Sequence, residues 1–232
     1  MRDIDIITFD CYGTLIDWES GIVDAFATES AKQGVRIDSS KIVSAYHAVE
    51  PRVESGTYRP YRQILAETAT GVASTLGWKI DAERAGFLAA SLPQWRPFPD
   101  TNAALERLSR KYKLGILSNI DDNLLEQTRK HFTVHFDLIV TAQQVKSYKP
   151  GIAHFNEALS RIGQLRWLHA AQSYFHVVVP ASQQGIPVAW INRRGDERES
   201  GGPSPTYEVR TLSEFADLME HGSDGSDGST QI

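Results

Sequence analysis

Apolar positions follow two different periods along this chain, and the change of period divides it. Ile4-Asp5-Ile6-Ile7-Thr8-Phe9 is a short β-branched run that stops at Asp10-Cys11-Tyr12-Gly13-Thr14. It predicts a buried strand emptying into a glycine-containing loop. From residue 18 to about residue 92 the spacing becomes helical, in Ile22, Val23, Phe26 and Ala27, then Ile42, Val43, Tyr46 and Val49, then Ile64, Leu65, Thr68, Val72 and Leu76. No strand-like run interrupts that stretch, which reads as a helical insertion.

Trp95-Arg96-Pro97-Phe98-Pro99-Asp100 reads as a rigid connector, with Asp100 placed to N-cap a helix through about Tyr112. The α/β alternation then returns. Strands are expected over 113–117, 137–140, 167–170 and 187–191, and helices over 122–130 and 152–162. Strands joined by helices imply right-handed crossovers and a parallel sheet. The expected fold class is therefore α/β, a doubly wound, Rossmann-like parallel sheet with a helical cap inserted after the first strand. Core residues would be 1–15 and 96–220, cap residues 16–95, and the low-complexity stretch 221–232 a disordered tail.

Composition narrows the function classes. The 232 residues are 41% hydrophobic and 23% charged, which suits one packed domain with an insertion and excludes a disordered chain. Lys+Arg 24 against Asp+Glu 29 leaves a formal charge of −5, which argues against nucleic acid and anionic membranes as partners. Cys11 is the single cysteine, so there is no intrachain disulfide and no thiolate cluster for zinc. It reads as a small core residue. No apolar run approaches the roughly 18–20 residues of a membrane span, and the start lacks a signal peptide's apolar core. A soluble, cytoplasmic protein is the expectation.

Ligands of doubly wound sheets bind beyond the carboxyl ends of the strands. Four such ends carry polar residues here: Asp10 and Thr14, Ser118 and Asn119, Lys149 in Ser147-Tyr148-Lys149-Pro150, and Gln172 and Ser173. Each alone is an ordinary turn former, cap or solvated loop residue. Together they fit covalent catalysis. Asp10 would be a carboxylate nucleophile, Lys149 would keep it ionised, and Ser118, Asn119 and Thr14 would donate hydrogen bonds to an anion.

Phe9-Asp10-Cys11-Tyr12-Gly13-Thr14-Leu15, Ile116-Leu117-Ser118-Asn119, Ser147-Tyr148-Lys149-Pro150 and Ala189-Trp190-Ile191-Asn192-Arg193, taken in order, resemble the haloacid dehalogenase superfamily over nearly the whole chain to about residue 220. Phosphatase relatives carry a second Asp where this chain has Tyr12, and metal-binding acids at positions that match Gln172 and Val177. Mg²⁺ favours carboxylate and phosphate oxygens, so the resemblance implies no metal and no other cofactor.

Tyr12 with the Ser-Asn and Tyr-Lys-Pro segments is instead similar to the metal-independent L-2-haloacid dehalogenases. That resemblance implies a small 2-substituted carboxylic acid as substrate, attacked by Asp10 to give an ester that water hydrolyses. Lys149 would be the cationic partner of Asp10. Ser118 and Thr14 would orient substrate carboxylate and nucleophile, Asn119 would lie near the halide, and Tyr12 and Ser173 would contact substrate. A neighbouring branch that opens azetidine-2-carboxylate by C–N cleavage is the alternative.

Three departures matter. Val177 stands where the dehalogenases have an acid that helps activate water, which allows a catalytically impaired binder as the rival reading; adjacent His176 is a candidate substitute base. The halide-receiving arginine of the cap has candidates in Arg52, Arg59 and Arg62, of which Arg62 is taken as the substrate contact. Trp18, Tyr46, Tyr58 and Tyr61 are candidate pocket walls. A homodimer is compatible with the resemblance, although no self-complementary surface is legible.

Overall fold

The computed structural model describes residues 4–81 and 83–221. Six strands, β1 (Ile6–Phe9), β2 (Lys113–Ser118), β3 (Leu138–Thr141), β4 (Trp167–Ala171), β5 (Val188–Ile191) and β6 (Tyr207–Val209), form one parallel sheet in the order β3-β2-β1-β4-β5-β6. β1 is covered on both faces, which is why its run is apolar without alternation. Its one polar side chain, Thr8, is satisfied internally: the hydroxyl accepts from Trp167 Nε1 at 2.7 Å and bonds His169 Nδ1 at 2.6 Å.

Helices α1 (Trp18–Lys32), α2 (Ile42–Glu54), α3 (Tyr61–Thr75) and α4 (Phe87–Ser91) fill the stretch between β1 and α5 (Thr101–Leu108). Ile16 is bridged to both Tyr12 and Pro97, so the chain leaves and re-enters the sheet layer at one point. Beyond β2 come α6 (Asp122–Arg129), α7 (Ala142–Val145) and α8 (Ala153–Ile162), then a π-helical turn (Tyr174–Val178), α9 (Val179–Gln183) and α10 (Leu212–His221). One apolar cluster joins a sheet face to the insert, through residues such as Ile7, Phe9, Phe26, Leu65 and Phe215. A second, with Val140, Phe155, Trp167 and Trp190, fills the other face. Among the described residues no helix is long and apolar enough to cross a membrane.

The doubly wound parallel sheet and the helical insertion after β1 are as expected. The capping assignment of Asp100 is corrected. Its side chain makes no cap bond to α5, which ends at Leu108, well short of Tyr112. Instead its carboxylate accepts from the backbone N–H of Leu212 at 2.7 Å and from Arg193 at 3.1 Å, so it caps α10 from across the molecule. β6, α10 and the π turn with α9 were not expected from the sequence. Of the stretch read as a tail, His221 is the last residue of α10, and 222–232 lie outside the described residues.

Candidate active site

The parallel register brings the site together. Phe9 pairs with Ile116 on one side and Ala170 on the other, so the residues just beyond β1, β2 and β4 meet at one edge of the sheet. Asp10 continues the ladder by donating its N–H to Ala170 O at 3.0 Å. The chain then turns back on itself, with Leu15 and Ile16 N–H both returning to Cys11 O. Gly13 makes the turn at φ +94°, and a Cβ there would lie 3.1 Å from Trp18 Nε1 and 3.2 Å from Gln172 Oε1. Only glycine suits both the conformation and the space. Cys11 is buried in the core, as expected.

Both oxygens of the Asp10 carboxylate are held. Lys149 Nζ donates to Oδ1 at 2.6 Å, and Thr14 Oγ1 donates to Oδ2 at 3.1 Å. Thr14 is itself fixed, because its hydroxyl accepts from Gln172 N–H at 2.9 Å. Lys149 is 2% exposed and gives a second hydrogen bond to Leu117 O at 2.8 Å. A buried ammonium of this kind is tolerable only when paired and hydrogen-bonded. Here it is both, and its charge lies directly against the Asp10 carboxylate.

Asn119 is spent on that lysine. Its Oδ1 accepts from Lys149 N–H at 2.7 Å, and its Nδ2 donates to Lys149 O at 3.0 Å and to Glu54 Oε1 at 3.2 Å. The side chain borders the cavity, yet its amide groups position Lys149 and tie the insert to the core. Ser118 Oγ differs: it is buried, borders the cavity and has no hydrogen-bond partner. A lone buried hydroxyl is costly to leave unsatisfied, and an anionic ligand would satisfy it.

These residues open onto a cavity of about 520 Å³ between the sheet edge and the insert. Tyr12 lines it, but the Tyr12 hydroxyl is engaged with Thr128 Oγ1 at 2.8 Å and its ring stacks edge-on against Trp95. Ser173 lines it too and caps the π turn, accepting from His176 N–H at 3.2 Å. Trp18, Tyr46 and Tyr61 form part of the wall; Tyr58 packs on Tyr148 instead. Arg62 does not reach the cavity. Its side chain is exposed and only its backbone N–H, bonded to Asp121 Oδ2 at 2.9 Å, faces the core. Arg52 is likewise exposed, and Arg59 is turned to Glu67 and Val53 O. The guanidinium at the cavity is that of Arg194, from the loop after β5, which pairs with Glu19 at 2.9 Å.

Sequence reasoning missed Glu50 and Glu54, which sit one helical turn apart on α2 and line the cavity. Burial raises both carboxyls, to about 6 for Glu50 and about 8 for Glu54, the latter pushed further by its neighbour and pulled back by Lys149 and Asn119. The two titrate as a pair. Their spacing was visible in the sequence, but a charged i,i+4 pair there reads as a solvated helix face.

The donor set does not fit a divalent cation. Oδ1 of Asp10 is claimed by an ammonium, Tyr12 and Gln172 offer no anionic oxygen, and Val177 is buried and apolar. Among the described residues no group of three or more His, Cys, Asp or Glu is placed to hold a metal ion.

Known proteins agree with this architecture. The family model of haloacid dehalogenase-like hydrolases matches residues 4–215. The (S)-2-haloacid dehalogenase H-109 of Pseudomonas putida is 30% identical over 226 residues, covering 94% of this chain and 99% of that protein. The haloacetate dehalogenase H-2 of Moraxella sp. (strain B) is 25% identical, with 94% and 99% covered. In fold, the chain is similar to the L-2-haloacid dehalogenase of Xanthobacter autotrophicus with chloropropionic acid covalently bound, with a TM-score of 0.81 at 22% identity over 94% of this chain and 99% of that one. From its first strand to the helix that closes its sheet, this chain belongs to the haloacid dehalogenase-like hydrolases.

Proposed function

We propose that the protein hydrolyses a small 2-substituted carboxylic acid through an ester on Asp10, without a metal ion, and that its substrate is an (S)-2-haloacid. The observation that carries this reading is the buried Lys149–Asp10 pair at 2.6 Å, with Thr14 on the other oxygen. A carboxylate held this way is fixed in direction, faces an ammonium and is unavailable to a metal. One Asp10 oxygen attacks C2 of the substrate from the side opposite the halogen, which leaves with the bonding electrons as halide. Ser118 Oγ–H, free of other partners, receives the substrate carboxylate. Water then attacks the ester carbonyl carbon and releases the 2-hydroxy acid, restoring Asp10. The named relatives support halide as the leaving group.

A second reading is favoured by Glu50 and Glu54. A halide needs no proton to leave, and ionised carboxylates repel it. A ring nitrogen departs as an amine and does need one, which a glutamic acid raised to about 8 still carries at neutral pH. C–N opening of an azetidine-2-carboxylate-type acid uses the same Asp10 attack at C2.

The test is a time course with L-2-chloropropionate and with azetidine-2-carboxylate, each in chelator, following free halide and the ring-opened product. Halide release that survives chelator and is abolished in Asp10→Asn is the expected result. Ring opening without halide release selects the second reading. Thermal stabilisation by either acid with no product at all reduces the protein to a binder. Dependence on added Mg²⁺ overturns the metal-free chemistry.

A further inference from the structure

Hydrolysis of an aspartyl ester needs something to take a proton from water, and Val177 has no lone pair to offer; it is 1% exposed and packs with Val178, Ala181 and Trp190. The residue before it stands on the cavity wall. Tyr174–Val178 is a π-helical turn, and the wider turn re-aims side chains relative to an α-helix. His176 and Val177 both line the cavity that holds Asp10 and Lys149, and of the two only the imidazole carries a lone pair.

The ring is held as well as placed. Ser173 Oγ lies 3.0 Å from His176 Nδ1 while it accepts the His176 backbone N–H at 3.2 Å. With Nδ1–H donating to the second lone pair of that hydroxyl, the lone pair of Nε2 is left free. Nε2 has no protein hydrogen bond and is not sealed from water.

We infer that His176, oriented by Ser173, is the general base that activates water on the Asp10 ester. The inference rests on the Asp10 reading above and holds for either leaving group. Water adds through oxygen to Cγ of the ester and its proton passes to Nε2. The tetrahedral adduct collapses by breaking the bond from Cγ to the oxygen carried by substrate C2. That oxygen takes the proton back from the imidazolium and leaves as the hydroxyl of the 2-hydroxy acid. One water oxygen stays in the Asp10 carboxyl, whose remaining proton passes to solvent as the carboxylate is restored. Burial and the Lys149 ammonium keep the ring neutral below its ordinary value of 6.5, with His47 acting in the same direction and Asp10 opposing.

The experiment measures the burst and the steady state of leaving-group release, with intact-protein mass for the ester, on L-2-chloropropionate and azetidine-2-carboxylate. His176→Asn is expected to release one equivalent per chain as fast as the wild type and then stall with the ester in place. Its hydrolysis should be about 10²–10⁴-fold slower, the usual worth of general-base assistance, and added imidazole should restore part of it. Ser173→Ala should slow the same step, by less than His176→Asn, and shift its pH profile. In the wild type, ester hydrolysis should climb with pH through a group below 6.5 and level off, and keep that profile in Glu50→Gln/Glu54→Gln, where the two raised carboxyls of the cavity are gone. Turnover by His176→Asn at the wild-type rate, or a profile flat across that range, overturns the role of His176. A wild type that forms no ester from either acid instead sinks the Asp10 reading, and this inference with it.

Discussion

Glu54 illustrates what burial does to a single side chain in this site. It lies against Glu50 and under Asn119, and its carboxyl is raised from 4.5 to about 8. Between those values the unfolded chain has released a proton that the folded chain keeps, so stability falls as pH rises through the window. Glu54→Gln keeps the acceptor for Asn119 and removes the titration. The variant should match the wild type near pH 4.5 and melt about 2–4 °C higher at pH 8 by calorimetry; equal melting at both pH values would contradict the assignment. The same residue marks the limit of sequence reading. Asp10, Thr14, Ser118 and Lys149 were legible because each follows a predicted strand, and in a parallel sheet all strand ends converge. Glu54 and Arg62 sit on helices, where function depends on which face meets the sheet. Arg62 was assigned to the cavity and lies outside it.

At the scale of elements, two aspartates cap helices that they do not precede. Asp100 closes α10, and Asp121 accepts from the N–H of Tyr61 and Arg62, both at 2.9 Å, closing α3 of the insert from the loop after β2. Pro60 precedes α3 and supplies no side-chain cap. Asp121 is 5% exposed, so its loss leaves two amide donors without a substitute. Asp121→Ala should cost about 0.5–2 kcal/mol in denaturant unfolding, the range of a lost cap. Amide exchange should accelerate first at Tyr61 and Arg62; protection unchanged there would show that the cap does not hold the insert. Local patterns predicted caps from the preceding residue, since sequence carries no sign of a donor more than fifty positions away.

For the molecule as a whole, two buried histidines, His154 on α8 and His169 in β4, reduce stability in acid. His154 bonds Ser118 O at 3.1 Å and is pushed down to about 3 by burial and by Lys149; His169, beside Thr8, is lowered for the same reasons. Below 6.5 the unfolded chain takes up protons that these rings refuse, so stability is lost progressively as pH falls. His154→Gln should narrow the gap between melting temperatures at pH 7 and pH 5, and an unchanged gap would assign acid lability elsewhere. The Lys149 charge lowers both rings, which ties the cost of the buried lysine to the stability of the sheet around it.

The sequence by itself determined the first five strands, the helices α5, α6 and α8 between them, the insertion after β1 and the family, because hydrophobic period and short motifs are local properties that survive without knowledge of neighbours. It also placed the four polar strand ends, since parallel connection brings them to one edge. Only the tertiary structure decided that Asn119 holds Lys149, that the cavity faces Glu50 and Glu54 and none of the insert's candidate arginines, and that His176 stands on the cavity wall with its ring held by Ser173. Those outcomes depend on the packing angle of the insert and on one widened helical turn, and neither is encoded in any short stretch of residues.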